Sequence, residues 1–267
     1  MLLAVDIGNT EITMGLFAGA ELERSWRVMT HPDRSQDEWA VLFRALFLQA
    51  GLDITDVGRS IVASVVPMAT EAVTDGLVDA TGTVPVLVTA ANLPIRLDVD
   101  EPQTVGADRM INTLAASRLF GIDTIVVDFG TATTLDCITK DGRFLGGIIA
   151  PGVRTAGENL VKKAAKLSST DLVPPPHAIG KRTDDCLRAG IVFGAADCVD
   201  GLVRRIKAEW PTRDVPKVIA TGGMAPLIAK YSSEIEEVHP DLTLQGLRIA
   251  ADVLGAPRSP KGPARAG

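Results

Sequence analysis

The sequence predicts an α/β fold built by duplication, two β-rich α/β domains facing one another across a cleft. Three observations carry that expectation. An apolar strand running into Asp, one apolar residue and Gly occurs at Leu3-Ala-Val-Asp6-Ile-Gly8-Asn-Thr10 and again at Val126-Val-Asp128-Phe-Gly130-Thr131-Ala-Thr133. The second copy comes close to half a chain after the first, far beyond the ~20–50-residue period of a solenoid. The composition of the 267 residues, 46% hydrophobic and 22% charged, is that of an ordinary globular chain of about two domains.

The elements follow in order. Leu2–Val5 is an apolar run and Asp6–Thr10 a Gly/Asn turn. Glu11–Phe17 alternates, with Ile12, Met14 and Leu16 on one face, as a half-buried strand does. Leu22–Val28 is a third strand. Ser35-Gln-Asp-Glu38 reads as a capping box, and behind it Trp39, Leu42, Phe43, Leu46 and Phe47 fall at helical spacing until Gly51 stops the run. Arg59–Val66 and Val84–Val88 read as buried strands around a helix near Thr70–Ala80, and a helix after Arg109 runs to about Phe120. There the pattern restarts: a strand at Thr124–Val127, a turn at Asp128–Ala132, a strand at Thr133–Ile138, and an Asp141-Gly142 hairpin turn into Phe144–Ile149. A long helix begins at Thr183, a buried strand covers Val218–Thr221, and a last helix lies around Leu242–Leu254. The domains expected are 1–115 and 116–254. The Gly-, Pro- and Ala-rich stretch 255–267 reads as a flexible tail.

Composition removes several functions. Aromatic residues are 4% of the chain, too few for the stacking platforms of single-stranded nucleic-acid binders. A net charge of −6 argues against phosphate-backbone binding. Cys137, Cys186 and Cys198 are odd in number and share no metal or disulfide spacing, which predicts a reducing, cytoplasmic setting with the thiols as small core residues. The opening residues lack the basic region of a signal peptide, and no apolar run approaches the ~18 residues of a membrane span. His177, after Pro174-Pro-Pro176, reads as a solvated loop residue. Gly190 and Gly194 on the long helix predict close packing, internal or at a dimer seam.

The two Gly turns carry the chemistry. Glycine removes the Cβ that would block a phosphate, so backbone N–H groups can approach it, and neighbouring Thr or Asn side chains add donors. Either turn alone is equally an ordinary β-hairpin; both together, each with Asp in the same place, favour a clamp on the phosphates of a nucleotide. A third Gly-rich element, Ala220-Thr-Gly-Gly-Met-Ala225, follows a buried strand and would let a base or ribose lie against the backbone. Neither a P-loop nor a Gly-x-Gly-x-x-Gly fingerprint is present.

These three segments resemble the phosphate and adenosine motifs of the actin/hexokinase/Hsp70 kinase superfamily, which implies duplicated ribonuclease H-like (actin-like ATPase) domains. More closely, Val105-Gly-Ala-Asp-Arg109, Gly146-Gly-Ile-Ile-Ala-Pro-Gly152 and Ile179-Gly-Lys-Arg-Thr183 resemble type III pantothenate kinase, in order over about residues 2–254. The resemblance implies ATP-dependent phosphorylation of pantothenate, the first step of coenzyme A synthesis, in a cytoplasmic homodimer. Asp6, Ile7, Gly8, Asn9, Thr10, Glu11, Ile12, Thr13 and Thr131 then map to nucleotide binding. Gly106, Ala107, Asp108, Arg109 and Thr183 map to pantothenate, with Asp108 as general base. Asp128 maps to a monovalent cation, potassium or ammonium, beside ATP with Mg²⁺. The residue types suit the chemistry, since phosphoryl transfer through a loose transition state needs positioning and charge neutralisation more than a strong base. Asp108 is equally at home as an acid in the first turn of a helix. The family's Tyr that precedes Gly-x-Asp-Arg by seven residues is Val99 here, and Glu11 stands where a small or amide residue is common. Two other readings share these motifs: a same-superfamily kinase for another small hydroxy acid or sugar, and a catalytically silent nucleotide-binding regulator.

Overall fold

The computed structural model describes residues 1–164, 167–168 and 170–255; from 256 on, the expected tail lies outside the described residues. In chain order the elements are β1 (Leu2–Ile7), β2 (Glu11–Ala18), β3 (Glu21–Met29), α1 (Gln36–Gln49), β4 (Arg59–Ser64), α2 (Pro67–Thr81), β5 (Val86–Leu87) and β6 (Arg96–Leu97). There follow α3 (Ala107–Leu119), β7 (Thr124–Phe129), β8 (Ala132–Ile138), β9 (Arg143–Pro151), α4 (Val153–Lys163), α5 (Thr183–Glu209), β10 (Lys217–Thr221), α6 (Ala225–Ile228), β11 (Glu237–Val238) and α7 (Leu242–Leu254).

The duplication is borne out strand by strand. One sheet runs β3-β2-β1-β4-β5, and the other contains β9-β8-β7-β10-β11 in the same order. In each, the first strand pairs antiparallel with the second and parallel with the fourth. A five-stranded second sheet is the natural expectation, but it has a sixth strand: β6 pairs parallel with β9, Arg96 opposite Arg143. The Arg96 N–H donates to the Gly142 carbonyl at 3.0 Å and the Asp98 N–H to that of Phe144 at 2.9 Å, which covers an otherwise open strand edge.

The chain divides into two compact units. The first comprises Met1–Ile95, Glu101–Ala115 and the segment from Thr243 on; the second comprises Arg96–Asp100 and Ala116–Leu242. This grouping differs from two sequential halves in β6 and α7. In the first unit, Leu3, Val5 and Ile7 of β1 and Ile12, Met14 and Leu16 of β2 share one core with Trp39, Phe43 and Phe47 of α1 and Val73 and Leu77 of α2. The capping box is present: the Ser35 side chain accepts from the Glu38 N–H while the Glu38 carboxylate accepts from the Ser35 N–H at 2.8 Å. The other face of the sheet is covered as well, for Gly15 lies under Leu244 of α7 and Gly246 against Ile111 and Ala115 of α3. Burial on both faces is why β1 reads as an unbroken apolar run.

In the second unit, Ile125, Val127 and Phe129 of β7 and Val218 and Ala220 of β10 pack with Val192, Ala196, Val199 and Val203 of α5. That stripe corrects the expectation that these thiols are core residues: Cys186 and Cys198 stand well round the helix from it and are exposed. Gly190 and Gly194 also stand away from it, and among the described residues nothing lies within 4 Å of where a Cβ on either would be, so the internal form of their expected close packing is absent. Cys137 on β8 is half-buried, and His177 is exposed as expected. Among the described residues no helix is long and apolar enough to cross a membrane.

Candidate functional site

In the first unit, β1 extends through Ile7, so Asp6 and Ile7 belong to the strand and not to the turn expected at Asp6–Thr10; residues 8–10 alone make the turn. Asp6 is half-buried at the strand end, and Asn9, Thr10 and Glu11 are exposed beyond it. Ile7 and Ile12 are both 0% exposed, their side chains committed to the core, so these two positions offer only main-chain groups. The turn closes through the Gly8 N–H donating to the Glu11 carbonyl at 3.1 Å. Two bonds from Thr30, just past β3, pin it: the hydroxyl donates to the Gly8 carbonyl at 2.7 Å and the N–H to the Thr10 carbonyl at 2.9 Å.

The same unit carries Gly106, Ala107, Asp108 and Arg109 at the start of α3. Helix geometry explains the motif. The Asp108 carboxylate turns back over the helix end, where Oδ1 accepts the Arg109 N–H at 2.8 Å. A Cβ on Gly106 would collide with that oxygen and crowd Val65 at 3.3 Å, so only glycine leaves room for this rotamer. Ala107 is buried and fixes the turn, while Asp108 and Arg109 are half-buried.

In the second unit the matching turn is also shorter than expected, because Asp128 ends inside β7 and Ala132 opens β8. Gly130 and Thr131 are exposed at its tip and Asp128 is half-buried below. The Gly-Gly segment after β10 meets it. Gly222, at φ +88°, would with a Cβ stand 2.5 Å from the Asp128 carboxylate and 2.8 Å from the Phe129 nitrogen. The helix that follows is α6, one turn long. The chain at the start of α4 meets the turn as well. Gly152, before α4, lies against the carbonyls of Gly130 and Thr131, and the Thr155 hydroxyl donates to the Thr131 carbonyl at 2.8 Å. Thr183 is exposed as the first residue of α5. Beside it Arg182 and Asp184 pair at 3.1 Å, and that hydrogen bond holds the Asp184 carboxyl below the usual carboxylate range. Val99 lies 3.7 Å from where a Cβ on Gly146 would be. Among the described residues no group of three His, Cys, Asp or Glu side chains could hold a metal.

The structure thus joins Gly106 with Asp108, and Asp128 with Gly130, Thr131 and Gly222. Thr30 and Thr155, which bond the two turns, carry no signal in the sequence.

Comparison with known proteins gives consistent results. Residues 2–205 match the family model described as type III pantothenate kinase. The type III pantothenate kinase of Moorella thermoacetica is 43% identical over 252 residues, 93% of this chain and 98% of that one. Among solved structures, a Baf family protein from Campylobacter jejuni superposes with a TM-score of 0.58 at 18% identity, covering 94% of this chain and 97% of that one. The activator of the 2-hydroxyisocaproyl-CoA dehydratase from Clostridium difficile, solved with bound ADPNP, gives 0.55 at 15% identity over 96% and 93%. At such identities these two likenesses concern the fold.

Proposed function

The chain belongs to the type III pantothenate kinase family, and on that premise we propose which of its residues carry the ATP-dependent phosphorylation of pantothenate, the entry reaction of coenzyme A synthesis. The observation that carries the reading is the Asp-x-Gly turn at the end of the first strand of each sheet, β1 and β7, with Asp6 and Asp128 in equivalent places. The N–H groups of Gly8 and Gly130 close their own turns on the Glu11 and Ala132 carbonyls, so the main-chain N–H groups offered to phosphate oxygens are those further along each tip. Nucleotide binding falls to Asp6, Gly8, Asn9, Thr10, Glu11, Thr13 and Thr131, and to the backbone of Ile7 and Ile12.

Pantothenate falls to Gly106, Ala107, Asp108 and Arg109, with Thr183. The planar guanidinium of Arg109 matches the substrate carboxylate by two parallel hydrogen bonds. Asp108 orients the primary hydroxyl and accepts its proton as the new O–P bond forms and the bond to the leaving β-phosphate oxygen breaks. A strong base is not needed, because the transition state is loose and the proton leaves late. Mg²⁺, when bound with ATP, neutralises charge on the phosphate oxygens. The Asp128 carboxylate is a hard oxygen ligand lying over a position where no Cβ fits, and it suits a monovalent cation, potassium or ammonium. The same reading takes the protein as a cytoplasmic homodimer, in keeping with exposed thiols and with the open face at Gly190 and Gly194; sedimentation measures the latter.

The test is ADP release by purified protein with ATP, Mg²⁺ and potassium, with and without pantothenate. Pantothenate-dependent release is expected. Release indifferent to pantothenate, or none, overturns the reading.

A further inference from the structure

The two turns share a device whose donors, Thr30 and Thr155, lie outside the motifs of the chain. In each unit a threonine from the segment after the third strand donates its hydroxyl to a main-chain carbonyl of the turn. Thr30, after β3, bonds Gly8 at 2.7 Å; Thr155, after β9, bonds Thr131 at 2.8 Å. In the first unit the Thr30 N–H adds a second bond, on the Thr10 carbonyl at 2.9 Å; in the second, the chain before Thr155 runs so close to the turn that a Cβ on Gly152 would stand 2.6 Å from the Gly130 carbonyl oxygen.

The consequence follows from peptide geometry. Every peptide of the described chain is trans, so the C=O and N–H of one peptide point in opposite directions. A Gly8 carbonyl held towards Thr30 turns the Asn9 N–H away from it. A Thr131 carbonyl held towards Thr155 turns the Ala132 N–H the other way. Rotating either peptide would aim a carbonyl dipole where an anion has to lie, which repels it. Each tether fixes the sign of the field at the turn tip.

We propose that Thr30 and Thr155 are positioning residues for the nucleotide: they touch neither substrate, and they set the peptides of the two turns so that N–H groups face the phosphates. The proposal rests on the turns being the nucleotide-binding elements. Occurrence of the same device in both units, on otherwise different sequences, separates it from a chance surface hydrogen bond.

Thr30→Val and Thr155→Val each keep the side-chain shape and delete the donor. Each is expected to raise the KM for ATP about five- to tenfold, the worth of one net hydrogen bond, with the KM for pantothenate unchanged. Thr→Ser at either position restores the wild-type value. Calorimetric affinity should fall for ATP and ADP and stay constant for adenosine, which has no phosphate. A purely structural role lowers the melting temperature without that split. Should a Val variant fail to fold, Thr→Ala is read instead. Wild-type protein that neither binds ATP nor phosphorylates pantothenate overturns the nucleotide reading and the proposal together. An active wild type whose Val or Ala variants keep their KM for ATP overturns the positioning role alone.

Discussion

Asp108 does two things at once in the first turn of α3, accepting a main-chain N–H of its own helix and presenting a carboxylate. The two roles make separable predictions. As general base, Asp108→Asn lowers kcat by roughly 10²–10⁴ with ATP affinity unchanged. As a helix-end acid alone, the same change costs about 0.3–1 kcal/mol of stability and leaves turnover intact. Turnover, ATP affinity and thermal midpoint on one variant distinguish them. Gly106→Ala gives an independent check, since its new Cβ displaces the Asp108 carboxylate; activity should drop although the carboxylate is still present. Asp128→Asn, nearly isosteric, should abolish any advantage of potassium over sodium or choline; a wild type indifferent to that exchange removes the cation role. Asp6 and Asp128 are legible because Asp-x-Gly recurs at the end of two strands, whereas the reading of Asp108 rests on the resemblance of Gly-x-Asp-Arg to the family's motif. Thr30 and Thr155 are illegible because each donates to a carbonyl fixed only by tertiary structure. Cys198 misleads for a related reason: thiols are usually buried, and only the position of the apolar stripe on α5 decides that this one is not.

At the scale of elements, α1 and α2 show packing overriding propensity. Gly76 sits inside α2, where Ala is ordinarily better by about 1 kcal/mol. Here a Cβ would stand 2.7 Å from the Trp39 Cβ and 2.8 Å from the Gln36 carbonyl oxygen. Forcing these helices apart costs about 1–3 kcal/mol or more, so Gly76→Ala should destabilise on urea unfolding; a stabilised variant refutes the close contact. The segment after α6 is held differently. Asp200 of α5 is 5% exposed and, against a burial that by itself raises its pKa, hydrogen bonds from Ser232, Ser233 and the Glu234 N–H lower it below the ordinary value. A depressed native pKa contributes stability that is complete above the unfolded value of about 3.9 and is lost as pH falls through the native one. The stability gap between wild type and Asp200→Asn should therefore be flat from about pH 8 to 5 and close below about pH 4; a gap that widens on acidification has the wrong sign. The sequence reveals α1 because caps and helical spacing are local. It hides β6 and β11, two residues each, which exist only through their ladder partners. In α4 Val153, Ala156, Leu160 and Val161 do fall at helical spacing, although of that helix only Val153 and Gly157 are buried.

For the whole molecule, the duplication is legible since the same strand ending occurs twice, whereas the membership of α7 is not. An apolar helix at the end of the chain has no mark of which sheet it covers, and this one supplies Leu244 and Gly246 to the unit that begins with β1. Truncation before Leu242 should therefore expose the sheet face at Gly15 and remove the burial of Leu244, Leu247 and Ile249, each worth about 1.5–3 kcal/mol. Near-ultraviolet signals of Trp26 and Trp39, both in the first unit, should melt at markedly lower temperature; an unchanged transition would mean that α7 contributes little there. In a cell, chains emerge from the ribosome at about 5–20 residues per second. The unit synthesised first thus waits, on the order of ten seconds, for a helix that follows the second unit in the chain, with one apolar face of its sheet open in the interval. The second unit has all its strands before that wait ends, so the order of completion runs opposite to the order of synthesis, and the first-made sheet is the surface a nascent-chain chaperone has most reason to cover.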